Sequence, residues 1–529
     1  MFVPLTPLDF CRRAVRLYSG KIGVVDGEKR FTYCQFGERA NRLANALLGL
    51  GIKKGDVVSF VCYNSYQLLE AYYGVVQAQA ILNPINIRLT AGEIEFILDH
   101  AQSRVVCFHS DFRPLIQTLQ RRLSSIRHFV EIEPSAPLLT GHQEYEDLLR
   151  RASTDFQAPE VEDENDIAEL FYTSGTTGDA KGVVLSHRSL YLHALNLIAG
   201  LGYTDRERFL HVVPLFHVNG WGTPHTLTAV GGRHVMLRKF DPKEVFRLVQ
   251  EEGITRLFAV PAVFIALLNE PKRGAYDLSS LRQVKIGGAP SSLSLIRQVE
   301  EGFGCQAIVG YGLTETSPVV SLALPKDHML DWEKPARLVH QVRTGIEIIG
   351  SEIRVIGAEG RDVDPNDEEV GEIAIRSNVV MTGYYKDPDA TSRAIRDGWF
   401  YSGDLATIDS EGSLRIVDRS KDIIISGGEN ISSAEVENTL YSHPSVLECA
   451  VIGVPDETWG EVPVALVVCR AGREVTETEL IAHIRGNLAP FKCPKAIHFR
   501  DSLPKGGTGK ILKRQLREPF WQGRKQRVN

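Results

Sequence analysis

Between Tyr172 and His187 the chain reads Tyr-Thr-Ser-Gly-Thr-Thr-Gly-Asp-Ala-Lys-Gly-Val-Val-Leu-Ser-His. Seven of the first eleven residues are Ser, Thr or Gly, and Lys181 is the sole Lys or Arg. The mostly apolar segment Ile167–Phe171 just before it reads as a buried strand. Gly175 and Gly178 let the backbone turn tightly and come close to a ligand. Hydroxyls on Thr173, Ser174, Thr176 and Thr177 add donors, and Lys181 adds a placed charge. A strand followed by such a loop suits the oxygens of a polyphosphate. A plain surface loop has less need of so many small hydroxyl residues beside one lysine.

This is not the common P-loop, which ends Gly-Lys-Ser/Thr and puts its hydroxyl on magnesium. Gly182 follows Lys181, and Asp179 and Ala180 separate Gly178 from it. Gly509-Lys510 fails the same test, because Ile511 follows. The segment instead resembles the phosphate loop of the adenylate-forming superfamily: acyl-CoA synthetases, peptide-synthetase adenylation domains and firefly-type luciferases. Five further segments match that family in its order. They are Tyr311-Gly-Leu-Thr-Glu315, Gly371-Glu-Ile-Ala-Ile-Arg376, Tyr401-Ser-Gly-Asp-Leu-Ala406, the run from Asp418 to Asn430, and Pro504-Lys-Gly-Gly-Thr-Gly-Lys510.

The resemblance implies a division of labour. Thr173, Ser174, Gly175, Thr176, Thr177, Gly178 and Lys181 would cradle the β- and γ-phosphates of ATP. Glu315 would hold Mg2+, a hard cation that takes oxygen ligands, and Thr314 would touch the α-phosphate. Tyr311 would stack on adenine, with Gly288, Ala289, Pro290 and Gly312 lining the adenine and acyl walls. Asp404 would accept the ribose hydroxyls and Arg419 would add a donor. Lys510 would bridge the substrate carboxylate and the nucleotide as a compact charge. Joining an anionic carboxylate to an anionic phosphate is mostly a matter of position and charge neutralisation. Glu315 as a helix-end carboxylate, Asp404 as a turn residue and Lys510 as a surface lysine are the bland alternatives.

Pro214-Leu-Phe-His-Val-Asn-Gly-Trp-Gly222 is expected to build the acyl pocket. His217 would lie between acyl and nucleotide sites, and Trp221 would bound the acyl tunnel, as in fatty-acyl and short-acid CoA synthetases. Both could instead be ordinary core residues. No acidic residue follows Gly220 before Asp241, which weighs against an amino-acid substrate. Gly427, Gly428 and Glu429 match the segment along which such enzymes pass the pantetheine arm. Nothing but a short tail follows Lys510, so a fused carrier domain is not expected. The expected activity is a carboxylate–CoA ligase: acid, ATP and CoA give acyl-CoA, AMP and pyrophosphate through an acyl-adenylate. The acid is expected to be a short- to medium-chain fatty or similar unsubstituted one, which places the chain in fatty acid and lipid metabolism. An acyl-AMP ligase loading a separate carrier protein, and a nucleotide-binding scaffold without catalysis, are the alternatives. Intact Lys181, Glu315 and Lys510 speak against the scaffold.

At 529 residues the chain exceeds one compact core. Its net charge of −6 argues against a nucleic-acid partner. Eight scattered cysteines suggest free thiols in a reducing cytosol. No run is long enough to span a membrane, the start does not read as a signal peptide, and the last residues are not the Ser-Lys-Leu peroxisomal address. A cytoplasmic enzyme is expected, and a homodimer is compatible with the family.

Phe36 to Leu50 places Phe36, Ala40, Leu43, Ala44, Leu47 and Leu48 on one helical face. Val57–Cys62 reads as a strand and Tyr66–Gln79 as the next helix. The helix Asp241–Glu252 then precedes the strand Arg256–Val260. Repeated β–α units imply parallel sheets covered by helices. From about residue 345 short alternating strands suggest antiparallel structure. The fold class expected is α/β: a large N-terminal domain of parallel-rich sheets with helices plus a small antiparallel β subdomain, followed by a small α+β C-terminal domain. The boundaries fall at 1–417, 418–422 and 423–529. The resemblance implies that the second domain is mobile and that 418–422 is its hinge, centred on Lys421; its charges suggest solvent exposure. The tail from Lys505, with eight Lys/Arg and one acidic residue, reads as a solvated end. Some of those cations are alternatively candidates for nucleotide or CoA phosphates.

Overall fold

A computed structural model describes residues 1–156, 159–173, 180–289, 291–419, 422–427, 429–506 and 511–522. Two large sheets, of nine and eight strands, frame the N-terminal part. In the first, Arg208–His211, Arg256–Ala259, Gln283–Gly287 and Gln306–Gly312 run parallel as successive neighbours. In the second, Ile81–Pro84, Val57–Val61, Ser103–His109 and His128–Ile132 do the same. Helices connect the strands, so each sheet is covered on both faces and these strands are mostly buried.

Local chemistry sets the helix ends. The helix Tyr33–Gly49 starts three residues before Phe36, because Thr32 and Gln35 form a reciprocal capping box. Phe36, Ala40, Leu43, Ala44 and Leu47 are buried, whereas Leu48, at the border of the stripe, is 43% exposed. In the helix Pro242–Glu252 the Asp241 side chain accepts from the Lys243 N–H, and Gly253 ends the helix in the left-handed region.

The change of texture is real. Ser351–Ile356, Gly371–Ser377, Trp399–Ile408 and Leu414–Arg419 form an antiparallel sheet. After it, the long hairpin Val446–Asp456 and Gly460–Cys469 carries the helices Ser433–Tyr441 and Glu477–Arg485. These elements close a core of their own, including Ile424, Val436, Leu440, Val451 and Ile484. Among the described residues no helix is long and apolar enough to cross a membrane. All eight cysteines are free thiols.

Two expectations are corrected. Asp418 is not a solvated linker residue; it is 6% exposed. Its Oδ2 accepts the backbone N–H (2.7 Å) and hydroxyl (2.6 Å) of Ser433, and so adds an acceptor to the first turn of the helix that Ser432 caps. Nor is the whole tail solvated. In the helix Lys513–Trp521, Lys513 Nζ donates to Glu437 (2.7 Å) and Ser433 (2.6 Å), and Arg517 to Asp422 (2.8 Å). A charge count cannot tell that carboxylates from distant segments meet these cations. Lys421 lies outside the described residues.

Candidate active site

Two paired strands flank the phosphate segment in sequence. Ile167–Thr173 and Lys181–Ser186 pair antiparallel, and Thr173 stands opposite Lys181. On the far edge of Lys181–Ser186 lies the two-residue strand Gly383–Tyr384, with Tyr384 opposite Val183. That pairing carries the Tyr384 ring under Lys181, whose Nζ is 4.8 Å from its centroid. The Tyr384 phenol donates to Glu315 Oε1 at 2.9 Å, and the Met381 N–H donates to the Glu315 carbonyl at 2.7 Å. Tyr384 therefore joins the expected phosphate lysine to the expected metal carboxylate. Sequence reasoning missed it. Its signal was weak: Gly383-Tyr384-Tyr385 follows the Gly371–Arg376 motif, with no charge to mark it.

Burial raises the Glu315 carboxyl above its ordinary range; the Tyr384 hydroxyl and Arg419 work against that rise. Thr314, beside it, is 8% exposed. No cluster of three or more His, Cys, Asp or Glu side chains forms among the described residues. Among the described residues there is thus no all-protein cage, and a lone carboxylate fits magnesium, which keeps waters and phosphate oxygens in its shell.

A second group gathers where the nine-stranded sheet meets the antiparallel one. The Tyr311 hydroxyl donates to Asp404 Oδ2 at 2.8 Å, and Arg419 Nε reaches Asp404 Oδ1 at 3.1 Å. Arg419 faces Asp404 because the two are register partners across adjacent strands. Burial, then Asp404, push the Tyr311 phenol well above its usual value, so it stays a donor. Burial disfavours the Arg419 charge, but Asp404 and Asp422 outweigh it and raise the guanidinium further. Asp404 Oδ2 accepts the Tyr311 hydroxyl and Oδ1 is ion-paired with Arg419, so the carboxylate is held in place with lone pairs to spare. Next to Tyr311, Gly312 admits no side chain: a Cβ would stand 1.7 Å from the Pro318 carbonyl oxygen.

The acyl segment has an unusual backbone. Val218, Asn219, Gly220, Trp221 and Gly222 all have φ between 33° and 84°. Non-glycine residues enter that region at a cost that surrounding contacts must offset. Asn219 supplies them: its Oδ1 accepts the Gly222 N–H at 2.6 Å, and its Nδ2 donates to Glu169 at 3.2 Å. Glu169, fully buried in the strand leading to the phosphate segment, also accepts from His225 Nε2 at 2.6 Å. The turn packs the Trp221 indole over Gly287, where a Cβ would meet the ring at 3.4 Å, and beside Phe258. Trp221 is 6% exposed, and half-buried His217 sits at the head of the turn. Asn219 and Glu169 were not singled out, because their pairing exists only between elements fifty residues apart.

Gly288 is in the left-handed region at φ 77°, just past the strand Gln283–Gly287, and Ala289 beside it is exposed. Gly427 (φ 60°) turns a hairpin between Ile424–Ser426 and Glu429–Ile431 in the small domain. A Cβ there would lie 2.6 Å from the Trp459 ring, and Glu429 is exposed. Ser174, Gly175, Thr176, Thr177, Gly178, Pro290, Gly428 and Lys510 lie outside the described residues.

An antiparallel strand pair bounded by Thr173 and Lys181, a Tyr384 that links Lys181 to a buried carboxylate, and a Tyr–Asp–Arg network at a sheet junction together suit a nucleotide-using enzyme. Comparison with known proteins agrees. The AMP-binding enzyme family matches residues 11–385, and the AMP-binding enzyme C-terminal domain matches 435–510. The butyrate–CoA ligase AAE11 of Arabidopsis thaliana is 38% identical, over 98% of this chain and 93% of that protein. A long-chain-fatty-acid–CoA ligase of Thermus thermophilus is 38% identical, over 97% and 95%. The crystal structure of ATP-bound MatB from Rhodopseudomonas palustris superposes with a TM-score of 0.86 at 28% identity, over 98% of this chain and 100% of that one. The chain belongs to the AMP-binding enzyme family, within the adenylate-forming superfamily of acyl-CoA synthetases. Its activity is that of an acid–thiol ligase using ATP and CoA.

Proposed function

We propose that this ligase activates a short- to medium-chain fatty or similar acid as its acyl-adenylate and passes the acyl group to CoA. The observation that carries the reading is Trp221, buried between Phe258 and Gly287 and held there by Asn219. An indole in that place closes an apolar pocket and limits its depth. Lys181 and the Thr173–Gly178 hydroxyls neutralise the departing pyrophosphate. Glu315 and Thr314 face the phosphates; magnesium held by Glu315 would supply further charge neutralisation. Tyr311 orients the base side of the nucleotide, with Asp404 and Arg419 at the ribose. Lys510 guides the carboxylate to the α-phosphate. His217 separates acyl and nucleotide sites.

The second half-reaction uses Gly427, Gly428 and Glu429 as the thiol's approach. Because Lys510 would obstruct the thiol, the small domain (423–529) turns about Lys421 between the two steps. Free thiols throughout fit a reducing compartment such as the cytoplasm. The test is pyrophosphate release and thioester formation from acids between acetate and palmitate, with and without CoA. CoA-dependent thioester with a maximum at short or medium acids is expected. Stable acyl-AMP untouched by CoA would instead favour transfer to a carrier protein. Trp221→Ala should move kcat/KM toward longer acids, each methylene being worth about 0.8 kcal/mol. An equal decline at all lengths would make Trp221 ordinary core.

A further inference from the structure

Lys285 lies in the middle of the strand Gln283–Gly287, two residues before the glycine that Trp221 covers. It is 1% exposed. Its Nζ has no hydrogen-bond partner among the described residues. It stands 4.0 Å from the Phe258 ring centroid and 5.3 Å from that of Trp221. Phe258 is its register partner on the neighbouring strand. On the other side Gly310 leaves room for its stem: a Cβ there would lie 3.3 Å from Lys285 Cδ. The amine therefore ends inside the apolar wall assigned to the acyl pocket, among aromatic faces and with no oxygen among the described residues to receive its protons.

Such a placement is costly for a purely structural side chain. An amine has three donors when charged, and two ring faces satisfy none of them as an oxygen would. Cation–π attraction offsets part of the lost hydration. A methionine would fill the same volume without any such loss. Burial pushes the ammonium down to about 7, so the group can arrive neutral and donate, or take a proton when an anion enters.

We propose that Lys285 is the distal recognition residue of the acyl pocket, donating to an oxygen acceptor that the carboxylic acid carries away from the carboxyl being activated. The inference rests on the acyl-pocket reading of Trp221 and narrows it, from a plain fatty acid to one bearing a hydroxyl, a carbonyl or a second carboxylate. A buried donor left unmatched by a plain acid discriminates strongly, because the deficit reappears in every complex with that acid.

The test is pyrophosphate release and CoA-dependent thioester formation on acids matched in length. Hexanoate and octanoate are each compared with their ω-hydroxy, oxo and dicarboxylate counterparts, and phenylpropanoate with its para-hydroxy form. The parent should favour one oxygen-bearing class by about tenfold or more in kcat/KM. A hydroxy or oxo preference marks a neutral acceptor, and a dicarboxylate preference an anion. Lys285→Met should abolish or reverse the preference, lowering kcat/KM for the oxygen-bearing acid more than for the plain one. Lys285→Gln, which retains a donor, should keep part of it. Melting temperatures report whether each variant is folded. A parent that favours the plain acid in every pair overturns the proposal, as does a folded Lys285→Met that slows both members equally. Adenylate formed without any CoA-dependent thioester would count against the CoA-ligase reading instead, and the preference in pyrophosphate release would still decide Lys285.

Discussion

The Tyr384 phenol donates to Glu315 Oε1 at 2.9 Å while its ring lies 4.8 Å from the Lys181 amine. One aromatic side chain thus fixes the spacing between the cation assigned to the outer phosphates and the carboxylate assigned to magnesium. Tyr384 is a positioning residue: it acts through Glu315 and Lys181.

Tyr384→Phe keeps the ring and removes the donor. Hydrogen bonds to charged groups are worth roughly 1.5–3 kcal/mol, so kcat/KM for ATP should fall about tenfold or more. Glu315 is already raised by burial, and the lost donor raises it further. Activity needs the ionised carboxylate, so the acid limb of the pH–rate profile should move to higher pH. An acid limb that stays put, with activity merely scaled down, would mean that Tyr384 does not act through Glu315.

Asn219→Ala removes the brace of the left-handed turn. Gly222 N–H and Glu169 lose a buried partner, and alanine is disfavoured at φ 41°. The expected loss is about 2–4 kcal/mol of stability, from unsatisfied groups and backbone strain together. If the turn sets Trp221, KM for the acid should rise and chain-length selectivity flatten, with KM for ATP little changed. Unaltered length selectivity in a folded variant would separate Asn219 from the pocket.

Asp418→Ala removes a buried acceptor from the first turn of the helix Ser433–Tyr441, whose N-cap Ser432 remains. Two donors of Ser433 lose their acceptor, a loss of about 1–3 kcal/mol. Amide exchange in that helix should accelerate more than exchange in the nine-stranded sheet. Uniform acceleration would show that Asp418 supports the whole molecule and not the small domain.

Lys285→Met should stabilise the protein in a pH-dependent way. Burial lowers Lys285 from 10.5 to about 7 in the folded chain. Between these values the unfolded chain binds the extra proton, so the parent gains stability as pH rises through that window. Below about pH 7 both states are protonated and the penalty is complete. The variant's gain in Tm should therefore be largest below neutral pH and shrink toward pH 10, with a ceiling of a few kcal/mol at about 1.4 kcal/mol per unit. A pH-independent gain would mean that Lys285 is not buried as an isolated amine.

Residues adjacent in sequence carried most of what was legible beforehand. The phosphate segment, the Tyr311–Glu315 and Tyr401–Ala406 motifs and the β–α alternation are local patterns. Steric and hydrogen-bonding rules act on them within a few residues, so they could be read without knowing what packs nearby. The antiparallel subdomain and the separate small domain were legible for the same reason. Pairings across long stretches of chain were not. Tyr384 with Glu315 and Lys181, Glu169 with Asn219 and His225, Asp418 with Ser433, and Lys513 with Glu437 have no local signature. Charge alone suggested that Asp418 and Lys513 face water; tertiary pairing buried Asp418 and tied Lys513 to Glu437. Lys285 makes the same point. In sequence it is one lysine in an apolar strand. Only the folded sheet, with Phe258 beside it and Trp221 above, decides that its amine is cut off from water among aromatic rings.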